Sequence, residues 1–112
     1  MPLTLQQSAF FLADVEIQFR WYFEKADLEV ARRYRLAVGA TVLKLQQRPG
    51  LGRPRFPNDP DLKGLRCGLL VRPFARHLLF YRVTDEFLVL ERTMHGARDL
   101  PRRLKQPPGA ED

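Results

Sequence analysis

The sequence has little cysteine and no long apolar run. Cys67 is its only cysteine, which excludes an internal disulfide and any cysteine-based zinc cage. No apolar run approaches the roughly 18 residues of a membrane-spanning helix, and residues 1–7 lack the basic charge of a secretory signal. We therefore expect a soluble, cytoplasmic protein that contacts no membrane and needs neither metal nor cofactor.

Lysine is also scarce, although the chain is basic. Its 112 residues include 15 arginines and only 4 lysines, and the formal net charge is +6 at pH 7. The planar guanidinium of arginine binds carboxylates and phosphates through paired hydrogen bonds. Such a surface suits an acidic protein partner or a nucleic acid, and a solvated basic surface without any particular partner is the alternative.

Hydrophobic periodicity predicts a single α+β domain over residues 1–104. A short alternating strand leads to Ser8, a good helix N-cap, and Asp27 offers a second N-cap. Prolines and glycines exclude a long regular element from residues 48–64. We expect a two-helix hairpin on one face of a four-stranded, mainly antiparallel sheet, with strands at residues 3–7, 65–72, 77–84 and 87–94 and helices at 8–26 and 27–47. The polar, proline-rich residues 105–112 predict a disordered tail.

Arginine stands among apolar residues in each of the last three predicted strands. Side chains alternate between the faces of a strand, and two helices cover only one face of a sheet. The other face then presents a concave basic patch for binding a target, formed by Arg66, Arg72, Arg82 and Arg92. Ordinary surface ion pairs with neighbouring carboxylates remain the alternative for Arg82 and Arg92.

The end of the last strand brings three kinds of charge together. His95, Arg98 and Asp99 supply an imidazole, a fixed cation and a carboxylate within five residues. His95 and Arg98 are candidate target-binding residues, and Asp99 is a candidate structural residue that ties down the turn. A strand-end cap made by Asp99 and Arg98 is the purely structural alternative. His77 is a lone histidine, more typical of packing than of catalysis.

Several segments resemble the RelE/ParE superfamily of toxins. They are the helix with Trp21-Tyr22-Phe23, the stretch 76–83, which reads Arg-His-Leu-Leu-Phe-Tyr-Arg-Val, and the stretch 95–100, which reads His-Gly-Ala-Arg-Asp-Leu. The resemblance implies a bacterial type II toxin-antitoxin module in which this chain arrests growth. It also implies a cognate antitoxin whose acidic or amphipathic segment wraps the toxin in a hetero-oligomer.

The resemblance leaves two targets, because RelE-like toxins cleave messenger RNA on the ribosome whereas ParE-like toxins inhibit DNA gyrase. A nuclease needs an acid, a base and cations for the phosphorane, here His95 with Arg66 and Arg82. RelE-like nucleases resemble one another in a lysine pair and a late tyrosine, and this chain has no tyrosine after Tyr81. We expect a non-enzymatic, ParE-like gyrase inhibitor. The alternatives are a ribosome-dependent mRNA endonuclease and a non-toxic, antitoxin-binding family member.

Overall fold

The structure is a computed structural model that describes residues 3–110. It is an α+β fold in which two long helices precede most of the sheet, as predicted. Within the described residues, neither long helix is apolar enough to cross a membrane. The elements in chain order are β1 (Thr4–Gln7), α1 (Ala9–Lys25), α2 (Leu28–Gln47), a 3-10 turn (Pro49–Leu51), β2 (Arg53–Pro54), β3 (Arg66–Leu69), β4 (His77–Val83), β5 (Phe87–His95) and α3 (Leu100–Leu104).

Both long helices begin at the predicted caps. The Ser8 hydroxyl accepts a hydrogen bond from the backbone N–H of Phe11 at 3.0 Å, and Asp27 Oδ1 accepts one from Val30 at 2.9 Å. These bonds satisfy N–H groups that have no partner inside the helix. The Ser8 hydroxyl also donates to the carbonyl of Glu91 at 2.8 Å. The start of α1 is thereby fixed against β5.

The sheet has five strands in the order β1-β5-β4-β3-β2, one more than expected. Strand β1 pairs with β5 in parallel, and the other neighbours are antiparallel. The additional strand, β2, has only two residues, one of them a proline at the sheet edge, so it carries no alternating pattern. The buried hydroxyl of Tyr81 anchors this region, because it accepts from Gly52 N–H at 2.8 Å and donates to the Pro49 carbonyl at 2.7 Å.

Apolar residues cover both faces of the sheet. The helices pack against the face that carries Leu79 and Tyr81. The opposite face, with Leu78 and Phe80, is covered by a second cluster whose other buried members are Leu62, Leu65, Met94, Leu100 and Leu104. The loop after α2 and helix α3 supply this cover. The prediction of an open, concave basic face is therefore wrong.

Two predicted boundaries also change. Strand β3 ends at Leu69, and Arg72 lies in the following turn, which is closed by a hydrogen bond from Leu70 N–H to the His77 carbonyl. The predicted disorder of residues 105–112 does not describe residues 105–110. Lys105 Nζ lies 2.8 Å from Asp59 Oδ2, and the carbonyl of Gln106 accepts a hydrogen bond from Arg92. Residues 111 and 112 of that tail lie outside the described residues.

Candidate target-binding site

Two of the arginines predicted to bind a target instead hold the loop that follows α2. Arg66 donates from Nε to the Gly52 carbonyl at 2.9 Å and from a terminal nitrogen to that of Gly50 at 3.3 Å. Arg82 donates to the carbonyls of Lys63 and Asp61, and its Nε lies 3.4 Å from Glu91. Each guanidinium group thus spends two of its five N–H donors on carbonyls of the protein itself.

Arg92 is a buried structural residue and not a target-binding one. Its exposed fraction is 5%, and it forms a two-point contact with Asp14, at 2.7 and 3.0 Å. A terminal nitrogen also donates to the carbonyls of Leu104, at 3.1 Å, and Gln106, at 2.6 Å. A buried guanidinium needs this number of partners to offset its lost hydration. Arg92 therefore links α1, β5 and the C-terminal segment.

The residues expected to cleave RNA do not converge. His95 pairs with His77 at one end of β4, whereas Arg66 pairs with Tyr81, four residues further along the same strand. Four residues of a strand span roughly 13 Å, at about 3.3 Å per residue. Arg82 follows Tyr81 and lies further away still. The structure therefore does not bring His95 together with the two arginines at one site.

The remaining candidates, Arg72, His95 and Arg98, lie at the opposite end of the sheet. Arg76 and Arg103, which the sequence did not single out, lie there too, and we call these five residues the basic end. The backbone N–H of Gly96 donates to the Arg76 carbonyl at 2.9 Å, which brings the two turns together. Arg72, Arg76, His95 and Arg98 are exposed. Within residues 3–110 none of the three arginines among them forms an ion pair. The basic end thus offers cations to a partner.

Internal hydrogen bonds fix the turn at the basic end. The guanidinium of Arg103 donates to the carbonyls of Arg98, at 2.8 Å, and His95, at 3.0 Å. Asp99 precedes α3, where its carbonyl accepts from Arg103 N–H, and its carboxylate lies 3.6 Å from Arg102. The sequence reading placed Asp99 with Arg98 and missed Arg76 and Arg103. Nothing in the local sequence distinguishes those two arginines from their solvated neighbours.

His77 is packed behind the exposed His95. The two rings lie edge to face with centroids 4.7 Å apart, and His77 Nε2 shares a hydrogen bond with the Tyr22 hydroxyl at 2.8 Å. Burial, helped by the nearby charge of His95, lowers the pKa of His77 to about 4. Burial also raises the pKa of Tyr22. His77 is therefore neutral at pH 7 and adds no positive charge beneath the basic end.

A cleft of about 340 Å³ opens beside His95, between α1 and β5. We call it the α1–β5 cleft. Its walls combine apolar and polar side chains, among them Gln18, Trp21, Tyr22, Thr93, His95 and Arg103. Such a mixture is typical of sites that bind organic ligands. The sequence singled out only His95 and the motif containing Trp21 and Tyr22, because the other residues meet through the packing of α1 on β5.

The whole chain was compared with known proteins. A family model described as the ParE toxin of type II toxin-antitoxin systems, parDE, matches residues 5–100. The chain belongs to the ParE toxin family. A search of curated proteins gave no match. The resemblance to the RelE/ParE superfamily seen in the sequence is therefore confirmed.

Two solved structures support the fold of this ParE-family toxin. The chromosomal ParDE toxin-antitoxin system from P. aeruginosa is similar with a TM-score of 0.68 and 21% identity, over 85% of this chain and 97% of that one. The RelBE2 toxin-antitoxin complex from Mycobacterium tuberculosis is similar with a TM-score of 0.56 and 19% identity, over 85% and 99%. At these identities the likeness concerns the fold. The activity has to be argued from the toxin's own residues.

Proposed function

We propose that this toxin arrests growth by binding DNA gyrase through the basic end, without cleaving RNA. The separation of His95 in β5 from Arg66 in β3 and Arg82 in β4 carries the proposal, because general acid-base catalysis requires groups within hydrogen-bonding reach of one reacting centre. Membership of the ParE family supports the same target. The unpaired cations of Arg72, Arg76 and Arg98 suit an acidic protein surface or DNA held by one.

Gyrase supercoiling in the presence of purified toxin tests this proposal. Arg76→Gln combined with Arg98→Gln should weaken inhibition, because two of the three unpaired cations of the contact are lost. Arg48→Gln combined with Arg53→Gln is the matched control: it removes the same charge from exposed positions next to the Tyr81 anchor, at the other end of β4 from the basic end. Codon-specific cuts in messenger RNA on ribosomes, with supercoiling intact, would instead establish the endonuclease alternative. Absence of any growth arrest would favour the non-toxic, antitoxin-binding member.

We also propose that a cognate antitoxin binds in the groove between α1, α2 and β1. This groove has a volume of about 720 Å³ and is mostly apolar, with Leu12, Val15, Val42 and Leu43 among its walls. Its rim includes the outer edge of β1, since β1 pairs only with β5. An apolar groove beside an open strand edge suits an amphipathic segment. The net charge of +6 favours an acidic one.

The groove has a glycine suited to testing this contact. Gly39 lies on α2 at its wall, and a Cβ added there meets no atom within 4 Å. Gly39→Leu should therefore fold normally while its side chain obstructs the groove, and the Kd for the antitoxin should rise at least about tenfold, equivalent to 1.4 kcal/mol. Ala40→Leu, on the next residue but outside the groove, should leave it unchanged. If the two variants had the same Kd for the antitoxin, the antitoxin would have to bind outside this groove.

A further inference from the structure

We propose that the α1–β5 cleft binds an unpaired nucleobase, and that the basic end binds the phosphate attached to it. This would be a binding site and not a catalytic one, and it does not depend on gyrase being the target. The volume of about 340 Å³ falls within the range of small-ligand sites, about 300 to 1,000 Å³.

The apolar part of the cleft offers a surface for stacking. Trp21 is 51% exposed although it is large and apolar, and the ring of Tyr22 meets it edge to face, with centroids 5.4 Å apart and planes at 78°. Met94 lines the floor. Bases that have left a duplex stack on such aromatic side chains in single-strand-binding proteins. A paired base inside a duplex has no exposed face for this contact.

The polar part of the cleft suits the hydrogen-bonding edge of a base. Thr93 lines the cleft, but its hydroxyl is buried beside the buried hydroxyl of Tyr34, so it is not exposed to a ligand. Gln18 and the ring of His95 also line the cleft, and within residues 3–110 their side chains form no hydrogen bond. Together they supply both donors and acceptors.

Cations stand beside these groups. Arg103 lines the cleft and is held in place by the carbonyls of His95 and Arg98, and Arg98 itself is exposed. Asp14, the acidic residue of the lining, accepts from Arg92 and from Thr93 N–H, so its charge is compensated. A phosphate near Arg98 and Arg103 would therefore meet positive charge.

The only tryptophan of the chain is Trp21, so intrinsic fluorescence reports directly on the cleft. Three probes should be compared: the single strand dT8, an eight-base-pair duplex, and thymidine monophosphate. We expect dT8 to quench the fluorescence more strongly than the duplex does. Quenching by the monophosphate at similar concentrations would identify a free nucleotide as the source of the base, and quenching by dT8 alone would identify a strand. Equal binding of strand and duplex would overturn the proposal.

The Kd of variants for dT8, measured by fluorescence anisotropy of the labelled strand, separates base stacking from non-specific electrostatic attraction. Trp21→Ala should raise Kd about 5- to 150-fold, the effect of losing one stacked base. Phe23→Ala is the matched control, because Phe23 is 54% exposed on the same helix and does not line the cleft. Gln18→Ala, which removes a polar group that lines the cleft, should also weaken binding. Arg98→Gln should lower the slope of log Kd against log salt by about 0.7, whereas Arg48→Gln, at the other end of β4, should not.

Other results would exclude a nucleobase. Equal losses in Trp21→Ala and Phe23→Ala would mean that the cleft is not used. No binding of dT8, combined with loss of toxicity in Trp21→Ala, would assign the cleft to a protein contact. The gyrase proposal is judged by inhibition of supercoiling, so the two proposals can fail separately.

Discussion

At the residue scale, His77 has the most distinctive environment. Its ring is buried among Tyr22, Tyr34 and Phe74, with centroids between 5.0 and 6.0 Å away. Its hydrogen bond to Tyr22 keeps the ring in a fixed orientation against His95. Protonation of His77 would place a charge in this apolar cluster, which explains the direction of its pKa.

Stability should therefore depend on pH through His77. Its pKa falls from 6.5 to about 4 on folding, so the unfolded chain binds more protons between these values. The contribution is fully present above about pH 6.5 and is lost as the pH falls towards about 4, with a slope of at most about 1.4 kcal/mol per pH unit. Urea unfolding between pH 7.5 and 5 measures it. His77→Gln should remove the slope and His95→Gln should retain it; an unchanged slope in His77→Gln contradicts this assignment.

A second prediction at the residue scale concerns Arg92. Arg92→Met leaves the carboxylate of Asp14 buried without its partner, and it frees the carbonyls at the end of α3. Loss of one member of a buried pair costs about 3 to 5 kcal/mol of unfolding free energy. The exposed pair of Arg35 with Glu16 supplies the control, because Arg35→Met should cost less than about 1 kcal/mol. Similar losses in both variants would mean that Arg92 is not structural.

At the element scale, the two helices differ in how much they bury. Helix α2 buries residues on one face along its length, including Tyr34, Val38 and Leu45, whereas α1 buries only Phe11. At the C-terminal end of α1, the apolar residues Phe23 and Ala26 are exposed. These exposed apolar side chains leave α1 free to contact the two proposed ligands, one in the α1–β5 cleft and one in the groove between α1, α2 and β1.

Two glycines should respond oppositely to alanine. In Gly52, a Cβ would lie 2.5 Å from the Tyr81 hydroxyl oxygen and 2.8 Å from the Cys67 carbonyl oxygen, so Gly52→Ala must displace β2 or break the Tyr81 anchor. We expect a loss of about 1 to 3 kcal/mol, the cost of unpaired buried polar groups. Gly39→Ala meets open space within α2 and should stabilise by about 0.5 to 1 kcal/mol. Thermal unfolding of both variants checks the pair, and equal effects would contradict it.

At the scale of the whole molecule, α3 closes the second face of the sheet. Deletion of residues 99–112 removes Leu100 and Leu104 from that cluster together with the carbonyl partners of Arg92. Each lost leucine side chain typically costs about 2 to 5 kcal/mol, so Tm should fall by more than about 10 °C and the chain should bind a hydrophobic dye. Deletion of residues 107–112 keeps these contacts and should leave Tm nearly unchanged. A stable 1–98 fragment would show that the face needs no cover.

The sequence by itself determined the two long helices, strands β1, β4 and β5, and the family. The N-caps at Ser8 and Asp27, the helical spacing of Tyr34 to Leu45 and the alternation in β4 and β5 are local, because caps and hydrophobic periods act within a few residues. The stretch from Arg76 to Leu100 carried the resemblance that the family match confirmed.

Only the tertiary structure decided what each arginine does. Arg92 depends on Asp14, 78 positions away, and Arg82 depends on loop carbonyls 19 and 21 positions away. The sequence around an arginine does not reveal whether its N–H donors face the protein or the solvent. The distance along β4 that separates His95 from Arg66 likewise depends on strand register, which long-range pairing sets.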